Sequence, residues 1–375
     1  MFLPAWYPTA ENPVAGIFIK EHAKAVSLYN DVIVLYRQSA ARGVKGFYGV
    51  ISDQQEDGIR TIRIKYKKSL IPKTSFLSTL CAFRKLLKQR WRPDIIHAHV
   101  YSAGVSAVIL GKIYKIPVVV TEHWTGFLRR ALRKLDILRT RFAMNSAKII
   151  LPVSKDLEEA IRFYGVKNRF EIVPNAVNTE IFCPPLQKAT NGRKKLLLVS
   201  VLSHQKGISY LLRALVRLKR KRQDFVLDMV GDGPKRVEYE HLTKKLGLTK
   251  MVHFHGLKTQ KQVADFMKKC DFFVQPSLYE TFGVTYTEAM ACGKPLVATD
   301  IPVLKEKITQ DTGILVPPKD VKALAEAIDY ALDHYQEYSP EKISQFAKNK
   351  FSYVAVGKKL DHIYREVLHS YESRK

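Results

Sequence analysis

The chain has 375 residues, 46% apolar and 26% charged, the balance of a soluble globular protein long enough for two ordinary domains. No apolar run approaches the roughly 18 residues of a membrane span, and no basic segment precedes an apolar stretch at the N-terminus, so neither a spanning helix nor a leader peptide is expected. The net charge of +27 is uneven: residues 60–148 hold 20 Lys and Arg against 3 Asp and Glu, and such a surface should meet nucleic acid, anionic lipid or phosphorylated substrates.

Apolar, strand-like runs alternate with amphipathic helices almost from end to end, the pattern of parallel sheets covered by helices. The first half offers "FLPAW", "VIVLY", "IRTIRIKY", "DIIHAHV", "PVVVTEH", "IILPVS" and "FEIVPN". The second offers "KLLLVSVL", "FVLDMVG", "VHFHG", "DFFVQP", "PLVAT" and "GILVPP". Between them "CPPLQKATNGRKK" (183–195), rich in Pro, Gly and polar residues, reads as a linker. Two doubly wound domains joined there would face each other across a cleft lined by strand ends and helix N-termini. Cys81, Cys183, Cys270 and Cys292 are scattered, with no CxxC or Cys/His cluster, and read as reduced, buried thiols in a cytosolic protein.

The loops between these elements hold the candidate chemistry. "WYPTAENPVAGIF" (6–18) places Gly16 at the start of a helix, either as a phosphate-approaching loop or as a long turn. "HAH" (97–99) and "TEHW" (121–124) each end a strand with histidine, structural or aimed at the cleft. "VLSHQKGISYLL" (201–212) sets Lys206 and Gly207 between a strand and a helix; the lysine is a mobile point charge for a phosphate and the glycine permits close backbone approach, unless this is an ordinary loop lysine. "MVGDGPKR" (229–236) begins like a dinucleotide fingerprint, but Arg236 fills the third glycine position and Pro234 intrudes, so NAD binding is rejected. No D-x-D pair or metal-ligand spacing occurs, so neither a metal nor another cofactor is indicated.

"YETFGVTYTEAM" (279–290) sets two glutamates eight apart. "DFFVQPS" reads as a buried strand and "VTYTEAMACG" as a helix stopped by Gly293. Glu280 then lies in a loop at the carboxyl end of a strand, and Glu288 about one turn into the next helix. Between them Phe282, Gly283 and Val284 offer backbone N–H groups at a helix N-terminus, where donors are unpaired and the dipole favours negative charge. A carboxylate beside such donors suits a ligand with both hydroxyls and phosphate. The alternative is a dipole-favoured acid followed by a solvated one.

In order and spacing, "WYPTAENPVAGIFIKE", "RPDIIHAH", "VVVTEH", "VPNAVNTEIF", "KGISYLL", "VGDGP" and "PSLYETFGVTYTEAMACGKPLVAT" resemble the retaining nucleotide-sugar glycosyltransferases of family 4 over essentially the full chain. The resemblance implies a GT-B fold of two Rossmann-like domains, with residues 1–185 as the acceptor-side domain, 186–193 as linker and 194–350 as the nucleotide-sugar domain. Residues 351–375 would form a helix packing back on the first domain. It also implies roles. Glu280 would hold hydroxyls of the donor sugar, beside N–H groups of Phe282, Gly283 and Val284. Glu288 would hold the nucleotide's ribose, Lys206 with Gly207 the diphosphate, and Gly16 would let the first domain's backbone close on it. His123 would contribute to catalysis near sugar and phosphate. Sugar-to-diphosphate cleavage builds positive charge on the anomeric carbon and negative charge on phosphate, which N–H groups and a lysine can stabilise without a metal.

Three departures from the family pattern stand out. Val201 occupies the position of an arginine that pairs with the Lys-Gly lysine, leaving Lys206 more alone or another cation such as Lys258 in its stead. Asn-Gly-Val-Asp reads Asn175-Ala176-Val177-Asn178, and the first strand begins almost at Met1. Segments 65–92 and 127–142 read as largely helical with apolar stripes and cationic faces, and Lys67, Lys68, Trp91, Arg129 and Arg130 mark them. In the family's acceptor domain that combination implies a peripheral seat on anionic lipid, at the cytoplasmic membrane face, for a glycan or lipid-linked acceptor. The product would be a polysaccharide or lipid-linked oligosaccharide of the cell envelope. The rival readings are a GT-B nucleotide-sugar epimerase and a non-enzymatic nucleic-acid-binding protein; for the latter no groove-fitting module is recognisable.

Overall fold

The computed structural model describes residues 1–40, 48–67, 74–186 and 192–373. The chain forms two compact units, Met1–Ala176 with Tyr353–Lys375, and Val177–Ser352.

The first unit contains β1 (Phe2–Pro4), α1 (Ile17–Ser27), β2 (Ile33–Ala40), β3 (Tyr48–Glu56), β4 (Ile59–Lys67), α2 (Thr74–Lys88), β5 (Ile96–His99), α3 (Tyr101–Tyr114), β6 (Val118–Glu122), α4 (Lys134–Ser146), β7 (Ile149–Pro152) and α5 (Lys155–Phe163). Its seven strands run β3-β4-β2-β1-β5-β6-β7, all parallel except β3, which is antiparallel to β4. Helices cover both faces of a parallel sheet, so strands such as β6 and β7 are buried from end to end and read as unbroken apolar runs. β3 escapes that signal: "YGVISDQQE" is a polar edge strand that needs no apolar run to pair.

The second unit contains β8 (Lys194–Val199), α6 (Ile208–Lys219), β9 (Phe225–Val230), α7 (Arg236–Lys245), β10 (Val252–Gly256), α8 (Gln260–Lys269), β11 (Phe272–Gln275), α9 (Val284–Ala291), β12 (Leu296–Thr299), α10 (Pro302–Lys305), β13 (Gly313–Val316), α11 (Val321–His334) and α12 (Pro340–Phe351). Its six strands are all parallel, in the order β10-β9-β8-β11-β12-β13. α13 (Tyr353–Glu372) then returns to the first unit.

Several expectations from the sequence are corrected. "FEIVPN" forms no strand; Ile150 exchanges bonds with Arg169 and Glu171, and Val173 donates to Pro152, but the pairing stops at Pro174. The chain enters the second unit at Val177, ahead of the expected boundary at 185, because the Val177 N–H donates to the Phe351 carbonyl at 2.7 Å. Residues 127–133 form turns rather than helix, and Lys65–Lys67 end β4. The four cysteines are free, but only Cys270 and Cys292 are buried, Cys81 and Cys183 being half-buried; burial pushes the Cys270 thiol up to about 12.

α13 buries Val356, Leu360, Ile363, Tyr364 and Val367, one face of a helix by its 3.6-residue period, in a core shared with Ile19, Ala23 and Val26 of α1. At Gly357 the two helices nearly touch: a Cβ there would lie 2.1 Å from the Ala25 carbonyl oxygen. Gly357→Val should therefore destabilise the protein by about 1–3 kcal/mol through forced separation of α13 from α1, whereas Val354→Ala on the exposed face should change little. Thermal unfolding of both variants checks this.

Candidate active site

In the second unit the strand order reverses between β8 and β11, and the loops after these two strands carry Lys206 and Glu280. Such a reversal leaves a crevice beyond the carboxyl ends of the strands. After β8 the chain makes a 3-10 turn, His204–Lys206, that ends on Gly207 with φ 67°. A Cβ on Gly207 would lie 1.9 Å from the Pro276 carbonyl oxygen, so only glycine lets the two loops touch. The Leu278 N–H locks them by donating to the Gln205 carbonyl at 2.7 Å.

With the backbones that close, Lys206 Nζ donates to Glu280 Oε1 at 2.5 Å. The same oxygen accepts from Ser277 Oγ at 2.9 Å and Gln275 Nε2 at 3.4 Å. Glu280 is only 6% exposed, and a pair this buried needs such added hydrogen bonds to offset its desolvation. Phe282 contributes only its backbone, because its ring is buried edge-on against Phe351 at 5.6 Å. Gly283, with φ 77°, opens α9, and among the described residues the N–H groups of Gly283 and Val284 meet no acceptor. Glu288 is half-buried within α9. Val201 is 51% exposed, and Lys258 follows β10, with β9 lying between β10 and β8.

In the first unit the corresponding reversal lies between β1 and β5. Gly16, with φ 67°, opens α1 where a Cβ would sit 2.4 Å from the Trp6 carbonyl oxygen, so the glycine is fixed by a close approach. His99 at the end of β5 and His123 just after β6 come together, His99 Nδ1 lying 3.1 Å from His123 Nε2 with the rings stacked. The structure adds His22 of α1, whose Nε2 donates to the Pro174 carbonyl at 3.1 Å. His97 joins behind them, bonded to Tyr364 and Thr121. All four imidazoles are buried, and burial holds each well below the usual histidine range, His22 at about 4. Among the described residues one ring nitrogen on each of His22 and His99 meets no partner, while Asn175 lies beside His123. His22, His99 and His123 form the one group of potential metal ligands among the described residues, with ligand atoms within 4.8 Å of one another; sequence spacing could not gather them, because they come from α1, β5 and the loop after β6.

Glu122 was not singled out from the sequence. Its buried carboxylate accepts from the N–H groups of Tyr101, His123 and Trp124, tying the start of α3 to the loop that carries His123, and burial raises it to about 7. A glutamate between "VVVT" and the histidine was the available signal. Beside these strand ends lies a cavity of about 430 Å³ lined by Pro4, Arg37, Tyr66, Tyr101, Ser106 and Arg139 among others. The Arg37 guanidinium is held by Thr79 Oγ1 and Ser106 Oγ, each at 3.0 Å.

The residues marked for a lipid surface separate. Arg129 and Arg130 are exposed after β6, at the carboxyl end of the sheet. Trp91 is not on that face: it shares a cavity with Met1, Val32 and Ile95 at the strand starts. Lys68 lies outside the described residues, and Lys67 is described by its backbone alone.

The family described as Glycosyl transferases group 1 matches residues 185–350, and Glycosyltransferase Family 4 matches residues 30–181. Together the two matches span both units. The chain is a group 1 glycosyltransferase of the GT-B fold. A glycogen synthase of Mycobacterium tuberculosis is 28% identical over 252 residues, which are 65% of this chain and 61% of that one. A glycosyltransferase of Methanocaldococcus jannaschii is 29% identical over 72% of this chain and 75% of its own. Among solved structures, Anabaena HepE in complex with UDP and glucose superposes with a TM-score of 0.75 at 19% identity, covering 96% of this chain and 98% of that chain.

The buried imidazoles give the glycosyltransferase a pH signature. Their folded pKa values lie below the ordinary value near 6.5, so the unfolded chain takes up protons first and stability drains away as pH falls below about 6.5. Glu122, raised to about 7, acts in the opposite sense between its ordinary value of 4.5 and 7, but it is one group against four. Denaturant unfolding at pH 7 and pH 5 should show a lower stability at pH 5, and His22→Gln should shrink that difference.

Proposed function

We propose that the protein transfers a sugar, with retention, from a nucleotide-diphosphate sugar to a glycan or lipid-linked acceptor. The observation that carries this reading is the buried Lys206–Glu280 pair beside the open N–H groups of Gly283 and Val284. A donor satisfies every member of that set. Its diphosphate replaces Glu280 as the anion facing Lys206, while sugar hydroxyls replace Lys206 as donors to Glu280. Glu288 takes the ribose, and Gly207 allows the backbone to approach phosphate closely. The complex of Anabaena HepE with UDP and glucose supports a nucleotide-sugar donor for this chain as well.

As the bond from anomeric carbon to phosphate oxygen breaks, negative charge collects on the diphosphate. Lys206 and the N-terminus of α9 stabilise it, so protein groups serve the leaving group and no divalent ion is required for that task. Glu280 keeps the sugar in place, and in the first unit His123, held neutral, is the imidazole that would contribute to catalysis. The acceptor then attacks from the same face, and the departing phosphate takes its proton. The hexosyl class of the transfer and its independence of metal belong to this reading.

The cavity in the first unit suits the acceptor. Arg37 favours a phosphate, Arg139 being paired with Asp136 of the same lining at 3.4 Å, and Tyr66, Tyr101 and Ser106 suit sugar hydroxyls and ring faces. A lipid-linked acceptor also asks for a membrane seat, and α4 provides one. Leu135, Leu138 and Phe142, at i, i+3 and i+7, are 56, 62 and 41% exposed and flanked by exposed Arg133, Lys134 and Arg141. No helix among the described residues is long and apolar enough to cross a membrane, so contact with lipid would be peripheral. A role in cell-envelope polysaccharide synthesis at the cytoplasmic membrane face follows from that acceptor.

Two experiments test this. Thermal-shift and transfer assays with UDP-, GDP- and ADP-sugars should give one productive donor; Lys206→Ala should weaken its binding by on the order of 1.5–3 kcal/mol and Glu280→Ala should cut turnover. Wild-type turnover in both variants removes these roles, and a new sugar nucleotide formed without acceptor would favour the epimerase. Separately, the protein should co-sediment with anionic vesicles at low salt and less at high salt, and the double variant Leu135→Asp/Leu138→Asp should stay in the supernatant. Equal recovery of wild type and variant would remove α4 from the membrane.

A further inference from the structure

Lys307 is buried in the second unit, 5% exposed, and the proposed reaction does not use it. Buried lysines are rare unless paired, and among the described residues no carboxylate lies within ion-pair distance of this one. Its Nζ instead donates to the Phe282 carbonyl and lies 3.7 Å from the centre of the Phe282 ring. Its backbone is anchored on both sides: the Lys307 N–H donates to the Leu304 carbonyl at 3.0 Å, and its own carbonyl accepts from Thr312 Oγ1 at 3.3 Å. The ammonium is thus delivered to one peptide group.

That peptide joins Phe282 to Gly283. A trans peptide is planar, with its C=O and N–H pointing in opposite directions. Holding the Phe282 oxygen on Lys307 therefore turns the Gly283 N–H away from Lys307, at the open end of α9. A charge-assisted bond at the oxygen also polarises the unit and makes its N–H a stronger donor. Left-handed Gly283 has no side chain to fix this plane, so the lysine supplies the constraint.

We propose that Lys307 is a positioning residue for the donor: by gripping the Phe282 carbonyl, its ammonium aims the Gly283 N–H at the bound sugar diphosphate. This rests on the donor reading given above. The charged groups around it are Glu280 and Glu306, which favour the ammonium, and Lys206, which is paired with Glu280. Burial outweighs both glutamates and lowers Lys307 to about 7. Above that pH the grip loses its charge. A bound diphosphate, itself fully ionised above pH 7, restores it by drawing a proton back.

The test measures dissociation constants for UDP, GDP and ADP between pH 7 and pH 9, with melting temperature as the check on folding. For whichever diphosphate binds, wild-type affinity should fall as pH rises, by up to tenfold per pH unit. Lys307→Met should bind about tenfold more weakly at pH 7 with a flat profile, and Lys307→Arg should recover the affinity, also with a flat profile. A purely structural lysine would leave the pH slope untouched. Wild-type affinity and slope in Lys307→Met overturns the inference alone, as does a wild-type profile with no slope, which needs no variant to fold. Wild-type protein that binds none of the three diphosphates overturns the donor reading and the inference with it.

Discussion

The contact between the loop after β8 and the loop after β11 governs the second unit's chemistry. Gly207 must lie against the Pro276 carbonyl before Lys206 can reach Glu280, and Leu278 must bond Gln205 for that contact to persist. Because β8 and β11 are neighbours whose connections leave in opposite directions, their loops diverge into helices α6 and α9, leaving a crevice between two helix N-termini. The ion pair neutralises a carboxylate and an ammonium that would otherwise be buried alone, at a cost of several kcal/mol per charge.

The first unit solves a different problem. Four imidazoles are sealed in its centre and kept neutral by burial, while Glu122 uses three backbone N–H groups to hold the His123 loop to α3. Stacked neutral rings pack like other aromatics and keep hydrogen-bonding capacity, which suits a surface meeting a polar ligand. The same arrangement costs acid tolerance. α13 completes this unit from the far end of the chain, its Tyr364 hydroxyl bonded to His97, so the last helix supports the imidazole cluster directly.

The excess of positive charge resolves into distinct surfaces. Arg37 and Arg139 line a cavity, whereas Arg133, Lys134 and Arg141 flank an exposed apolar stripe on α4. A net charge alone describes attraction to polyanions in general. The stripe of Leu135, Leu138 and Phe142 lies beside those cations, and Trp91, at the other end of the sheet, is not part of it.

The sequence by itself determined the two sheets and the places where Gly16, Lys206, Gly207, Glu280 and Gly283 occur. Those features rest on local physics: apolar runs buried on both faces, glycines where φ is positive, and helix starts after strands. It missed β3, because an edge strand need not be apolar, and it extended the α4 helix over residues that the fold uses as turns. His22, Glu122 and Lys307 were decided by tertiary structure alone. Each acts across a distance in sequence that no periodicity encodes: His22 faces rings from β5 and the loop after β6, Glu122 caps α3, and Lys307 reaches back to Phe282. Their unusual protonation comes from burial, and burial exists only once the sheets have closed over them.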